Sequence, residues 1–169
     1  GLIIRDETRA DAPAVRAINE TAFGQPAEAD LVAALVDAGA AICSLVAEEA
    51  GDVIGHALFT PATLSSGGKT KEIAALGPIA VHPAWQKRGV GGRLIESGLE
   101  RCRAAGYDLI IVLGHPGYYP RFGFRPSAPF GIRWERDVPE DVFMVAELAP
   151  GALAGASGIV RYRPEFDGV

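Results

Sequence analysis

Cationic charge is scarce in this chain: 16 lysines and arginines stand against 21 aspartates and glutamates, a formal net charge of -5 over 169 residues. A surface of that sign repels phosphate backbones and anionic lipid. A nucleic-acid or membrane partner is therefore disfavoured, and any anion must be held by local geometry. Cysteine is scarcer. Cys43 in "AAICSLVAEE" and Cys102 in "LIESGLERCRAAG" are the only two, each on an apolar face where a small buried thiol is expected. His56, His82 and His115 are too scattered to form a chelating pair, which argues against a metal site. No apolar run approaches the ~20 residues of a membrane-spanning helix, and no basic start precedes an apolar leader. A soluble, cytoplasmic protein is the expectation.

Several reactive motifs are missing as well. No Lys-Ser or Lys-Thr follows a glycine to make a P-loop, and Gly89, Gly91 and Leu94 lack the third glycine of a dinucleotide fingerprint. The nearest approach to a Gly-x-Ser-x-Gly nucleophile turn, Gly155, Ser157 and Ile159, has no final glycine and follows no predicted strand. "RFGF" at 121–124 shares a little with an RNA-binding aromatic motif, but its other positions do not match and the net charge opposes it.

What the chain has is apolar bulk, 49% of its residues, enough for one core and too little length for two. A single domain over residues 1–163 and a loose tail over 164–169 are expected. "LIIRDE" reads as a strand and "RADAPAVRAINETAF" as a helix with Asp11 as its N-cap. "AEADLVAALVDAG" reads as a second helix stopped at Gly39. "ICSLVAEEAGDVIGHALFTPATL" has the pattern of two strands turning at Ala50-Gly51-Asp52, and "SSGGKT" reads as a loop. "KEIAALGPIAV" is apolar on both alternations, as a doubly buried strand should be. Gly77-Pro78 interrupts it, and since proline cannot donate to a ladder, a bulge or splay is predicted there. "GVGGRLIESGLERCRAAG" is a helix with Val90, Leu94, Leu99 and Cys102 on one face, and "YDLIIVLG" is the next strand. That strand-helix-strand link makes the two strands parallel. "HPGYYPRFGFRPS" is too rich in Pro and Gly for a long helix, and "EDVFMVAEL" and "SGIVRYR" read as closing strands. The class is α+β, with helices covering a mixed, mostly antiparallel sheet of about seven strands.

The most informative stretch is "WQKRGVGGRL". Gln86, Lys87 and Arg88 precede Gly89, Val90, Gly91 and Gly92 at the start of the predicted helix. The first four amides of a helix have no internal acceptor, the dipole adds roughly half a positive charge there, and glycine lets an anion reach the main chain. Two readings stand: glycines for close packing at an ordinary helix start, or an anion cradle built from the amides of 88–92 with Lys87 and Arg88 at its rim.

"LGPIAVHPAWQKRGVGGRLI" resembles the acetyl-CoA signature of the GNAT superfamily of N-acyltransferases. The Gln/Arg-x-x-Gly-x-Gly/Ala core is met by Gln86, Gly89 and Gly91. "YYPRFGF" is similar to the family's Tyr-x-x-x-Gly-Phe element through Tyr119, Gly123 and Phe124, and "HPGYYPRFGFRP" resembles the bacterial YhbS-type branch. The resemblance runs from the first strand to about Arg163. It implies an acetyl-CoA-dependent N-acetyltransferase in which the coenzyme's pyrophosphate lies on the amides of Arg88 to Gly92. The pantetheine arm then runs beside Ile79, Ala80 and Val81, and the splay at Gly77-Pro78 opens a V-shaped cleft for the thioester.

Acetyl transfer to an amine needs a neutral nitrogen, a polarised carbonyl and a proton for the departing thiolate. The resemblance makes Tyr119 the general acid, with Tyr118 as runner-up; packing between strand and turn is the alternative for both. Where relatives carry an asparagine after the strand, this chain has Gly114-His115. His115 then either replaces that contact, relays the amine's proton or only shapes the turn. Ala75 stands where some relatives place a base, with Glu72 three residues earlier, so the base is unassigned. Glu28 lies on the helical segment expected to line the acceptor pocket and is a candidate to bind a cationic amine. The acceptor is a small-molecule, peptide or protein amine, and homodimers are common among similar proteins. A coenzyme-binding sensor without turnover is the competing reading.

Overall fold

The computed structural model describes residues 1–169. One nine-stranded mixed sheet runs β1-β2-β3-β4-β5-β8-β6, with β9 beside the second half of β3 and β7 beside β9. The strands are β1 (Leu2–Asp6), β2 (Cys43–Glu49), β3 (Asp52–Ser66), β4 (Lys69–Val81), β5 (Leu109–Leu113), β6 (Arg125–Pro126), β7 (Ile132–Trp134), β8 (Phe143–Glu147) and β9 (Gly158–Arg161). The helices are α1 (Ala12–Phe23), α2 (Ala27–Asp37) and α3 (Val90–Ala104). The expected α+β arrangement is present. The sheet exceeds about seven strands because β6 and β7 are only two and three residues long, too short for any periodicity to show. No helix is long and apolar enough to cross a membrane.

Strand alternation sorts the core into layers. Leu45 and Ala47 of β2 and Phe59 of β3 face one side, where α3 contributes Val90, Leu94, Ile95 and Cys102. Val46 and Leu58 face the other side and meet Val15 of α1 and Leu31, Val32 and Leu35 of α2. In β4, Ala74 and Leu76 join the α3 layer, while Ile73 and Ala75 pack with Leu109, Ile111 and Val145 on the opposite face. A one-residue slip in any of these strands would exchange the two layers, so the register is strongly specified.

The turn at Ala50-Gly51 is a two-residue hairpin, with φ of +52° and +85° and Glu49 paired to Asp52. "SSGGKT" is tighter than the loop expected. Gly67 and Gly68, both at positive φ, join Ser66 directly to Lys69, so the two long strands run almost to their common tip. The 164–169 segment is not loose either. Pro164–Gly168 forms a 3-10 turn, with Phe166 packed beside Tyr162 and the carbonyls of Phe166 and Val169 accepting from the Arg136 guanidinium at 3.3 Å each.

Asp11 precedes α1 but makes no side-chain cap to it. Its carboxylate turns back instead, accepting from the Thr8 amide at 2.7 Å and from both terminal nitrogens of Arg5 at 2.7 and 2.9 Å. A bidentate guanidinium outbids a helix amide for a carboxylate. The Arg5 hydrogen bonds hold Asp11 well below its ordinary 3.8. The unfolded chain therefore takes up this proton first, and the stabilisation present at neutral pH is lost as pH falls through about 4 and below. Asp11→Asn should destabilise the fold at pH 7 by about 2 kcal/mol and flatten the loss between pH 5 and pH 3, as measured by urea unfolding at each pH.

A buried polar chain links the layers nearby. Asn19 Nδ2 donates to the Val15 carbonyl at 3.0 Å and to His56 Nδ1 at 3.2 Å. That leaves His56 Nε2 to donate to Ser44 Oγ at 2.8 Å, while the Ser44 hydroxyl donates to Glu7 at 2.5 Å. Burial pushes the Glu7 carboxyl up, but hydrogen bonds from His56 and Ser44 outweigh it and leave the group below its ordinary value.

Candidate active site

β4 and β5 pair in parallel only at Ala74, Ala75 and Leu76, opposite Ile110, Ile111 and Val112. On the other edge of β4 the register with β3 jumps from Leu76↔Phe59 to Ile79↔Ala57. Gly77 and Pro78 thus oppose the single residue Leu58, as a bulge requires. Beyond it Ile79, Ala80 and Val81 keep β3 as their only neighbour strand, and their other edge is unpaired. The predicted splay is present where proline interrupts the ladder. Ala80 offers only its main chain to that edge, since its side chain is buried.

Two clefts lie along this free edge, one holding Ile79 and Tyr119, the other Val81 and Tyr118. The second has a volume of about 830 Å³ and is walled by the Gln86–Gly92 loop, the first turn of α3, and Tyr118, Arg121 and Phe122. Gly89 takes the left-handed φ of +82° as the residue before α3. From Lys87 to Gly92 no amide makes a well-aligned main-chain hydrogen bond; the first amide of the helix to do so is Arg93, bonded to the Gly89 carbonyl. The Gln86 side chain donates to the Val81 carbonyl at 3.1 Å, tying the loop to the end of β4. Gly91 is closely approached: a Cβ there would sit 3.2 Å from the Tyr118 hydroxyl. Lys87 lines this cleft, but the Arg88 side chain does not; its guanidinium lies 5.2 Å from the Trp85 ring centre. The rim charge expected from Arg88 is thus diverted into a cation–π contact.

The first cleft, of about 330 Å³, opens where β4 and β5 part. Tyr119 is 8% exposed, and its ring is fixed edge-on by Tyr118 and Phe124 at 5.1 and 5.8 Å between centroids. Burial pushes its phenol up to about 12. Tyr118 is raised by burial too but faces the other cleft. Glu28 reaches the Tyr119 cleft, where its carboxylate accepts from Gln25 at 3.1 and 3.3 Å.

His115 lines neither cleft. Its Nδ1 accepts from the Gly117 amide at 3.0 Å, and its carbonyl accepts from Tyr118 and Tyr119, so it shapes the turn that presents the tyrosines. Gly114 has no room for a side chain: a Cβ there would fall 2.2 Å from the Tyr119 ring. Gly114→Ala must displace that ring, and should cost about 1–3 kcal/mol of stability, read as a lowered thermal midpoint. Glu72 is remote from the splay, accepting from the Tyr107 hydroxyl at 2.7 Å.

Sequence reasoning missed Trp134, Arg136, Tyr162 and Phe166, which close the Tyr119 cleft. Trp134 and Arg136 fall in a stretch with no periodicity, and Phe166 in the segment expected to be loose. The only signal available was the pair of aromatics Tyr162 and Phe166 near the end of the chain.

Known proteins share this arrangement. Residues 3–127 match the family model described as the acetyltransferase (GNAT) domain. The N-acetyltransferase YhbS of Escherichia coli (strain K12) is 34% identical over 167 residues, 98% of this chain and 99% of the relative. YjhQ from the same organism is 44% identical over 122 residues, 71% of this chain and 67% of the relative. The crystal structure of E. coli YhbS in complex with CoA superposes with a TM-score of 0.91, covering 98% of this chain and 91% of that one. A GNAT family acetyltransferase from Brucella melitensis in complex with acetyl-CoA gives 0.81 at 37% identity, covering 99% of each. The chain belongs to the GNAT family of acetyltransferases.

Proposed function

We propose that the protein transfers an acetyl group from acetyl-CoA to a primary amine by direct attack, with both substrates bound at once. The observation that carries this reading is the run of amides from Lys87 to Gly92 with no well-aligned main-chain hydrogen bond beside the open edge of β4. The two together fit a diphosphate joined to an extended pantetheine arm. CoA and acetyl-CoA in the complexes of similar proteins support the same fit. Two buried cysteines that remain free thiols support a place in the cytoplasm.

Acetyl-CoA supplies the activated acetyl group as a thioester. The amides of 87–92 would hold its diphosphate, with Lys87 adding charge at the rim and Gln86 fixing the loop. The free edge at Ile79, Ala80 and Val81 would pair with the amide groups of the arm, as an added strand does. Main-chain donors released by the splay near Gly77 would polarise the carbonyl.

Tyr119 is the proton donor in this reading, and its burial defines how it acts. A phenol near 12 is protonated throughout the working range, yet full transfer to a thiolate whose acid lies near ~8.5 is uphill by roughly 5 kcal/mol. Tyr119 therefore stabilises charge developing on sulfur by donating a hydrogen bond, and the proton completes its transfer as water enters. Glu28 is the one side-chain carboxylate lining this cleft, and in this reading it binds the amine while water takes the proton.

Thiol release from acetyl-CoA across an amine panel tests the reading. Acceptor-dependent thiol is expected; coenzyme binding with no turnover for any amine would instead establish a sensor.

A further inference from the structure

The Tyr119 cleft carries little charge for a site that receives an amine. Eleven of its fifteen lining residues are hydrophobic, and its charged groups are Glu28 and Arg136. Arg136 is engaged: it donates to the carbonyls of Phe166 and Val169 and to the Asp167 carboxylate, and lies 5.1 Å from the Trp134 ring centre. Glu28, in the first turn of α2, is engaged by the side-chain amide of Gln25 and has no cationic side chain paired with it. Phe23, Trp134, Tyr162 and Phe166 supply aromatic walls. Of the five large hydrophobic side chains that the whole surface leaves exposed, three, Phe23, Leu113 and Val169, also line this cleft. Exposed apolar surface concentrated at one concave site marks a place where apolar ligand surface is buried.

We infer that the acceptor is a small primary monoamine with an aryl or branched-alkyl body. Glu28 receives its ammonium group and the aromatic walls hold its body. The inference rests on the acetyltransferase reading and narrows it. A volume of about 330 Å³ is at the small end of ligand sites and suits one ring with a short arm. A second ammonium, as in a polyamine, would meet apolar walls without a partner and bear its desolvation cost. An amino-acid carboxylate would lie in a site that already holds a carboxylate with no cationic partner, Glu28, and whose only cation is committed to the C-terminal turn.

The chemistry balances without further reactants. The ammonium loses one proton to water, the neutral nitrogen forms a bond to the acetyl carbon, the carbon–sulfur bond breaks, and sulfur keeps the electron pair and takes a proton. The products are an N-acetyl amide, coenzyme A as its thiol, and one released proton.

The test is steady-state thiol release at saturating acetyl-CoA with 2-phenylethylamine and isoamylamine, against L-phenylalanine, spermidine and a lysine-containing peptide. The two apolar monoamines should exceed the other three in kcat/KM by roughly tenfold or more. Glu28→Gln should raise KM for 2-phenylethylamine by about five- to tenfold with kcat held within about twofold, the split expected of a binding residue. Phe166→Ala should raise the same KM while leaving the calorimetric affinity for coenzyme A unchanged. Preference for spermidine, the peptide or L-phenylalanine overturns the inference and leaves the acetyltransferase reading intact. So does an unchanged KM in both variants. Silence with all five amines while acetyl-CoA still binds overturns the acetyltransferase reading, and the inference with it.

Discussion

Tyr119→Phe will lower kcat by roughly 10²-fold, within the range of a positioned acid, and leave KM for acetyl-CoA nearly unchanged. The hydroxyl is removed from a ring that is otherwise held by Tyr118 and Phe124 and by the space that Gly114 leaves open, so packing survives. The Tyr119 hydroxyl is hydrogen-bonded to no group of the protein, and its loss orphans no partner. The pH profile discriminates further. A phenol raised to about 12 imposes no descending limb below pH ~11, so kcat/KM for an alkylamine should climb with the free-base fraction of the acceptor. A descending limb near pH 8–9 in wild type, absent from Tyr119→Phe, would show a phenol far more acidic than its burial allows.

The second large effect belongs to the glycine loop. Gly92→Pro should weaken coenzyme A binding by about 10- to 100-fold, because hydrogen bonds to charged groups contribute about 1.5–3 kcal/mol. Proline is tolerated in the first turn of a helix, where an amide has no internal acceptor, and the Gly92 amide makes no well-aligned main-chain hydrogen bond. Gly92→Ala is the control: it keeps the amide, and its Cβ would meet Phe122 at an ordinary 3.5 Å. The pair of variants therefore differs mainly in one N–H. Alanine at both Lys87 and Arg88 should weaken binding only a few-fold at physiological salt, since exposed cations are screened and the Arg88 guanidinium is already turned onto Trp85. Calorimetric titration of the three variants orders these contributions.

The parts of this architecture that were legible share a cause. The apolar alternation of "KEIAALGPIAV" and its break at Gly77-Pro78 reflect burial on both faces and a missing amide, which are local consequences of local residues. The glycine loop was legible for the same reason, since a helix start that exposes its amides must be written in small residues. A family resemblance singled out Tyr119 and helix position singled out Glu28; the fold sets both on one cleft, and the roles given to them belong to the proposal.

What stayed hidden was set by distant partners. Asp11 has the sequence of a helix cap, but Arg5 claims it across the first strand and turn. Arg88 has the sequence of a phosphate ligand, but Trp85 lies within reach. His115 could not be separated from a proton relay until its Nδ1 was seen accepting from Gly117. The walls formed by Trp134, Arg136, Tyr162 and Phe166 come from short strands and a 3-10 turn, elements whose pairing no single window of residues encodes.

The most direct measurement is an amide proton–nitrogen NMR titration of the full chain with coenzyme A. Capture of the diphosphate by main-chain nitrogens predicts large downfield shifts concentrated at the amides of Lys87 to Gly92, persisting in the protein with alanine at 87 and 88. Unmoved amides in that loop, with binding abolished by loss of the two cations, would contradict it.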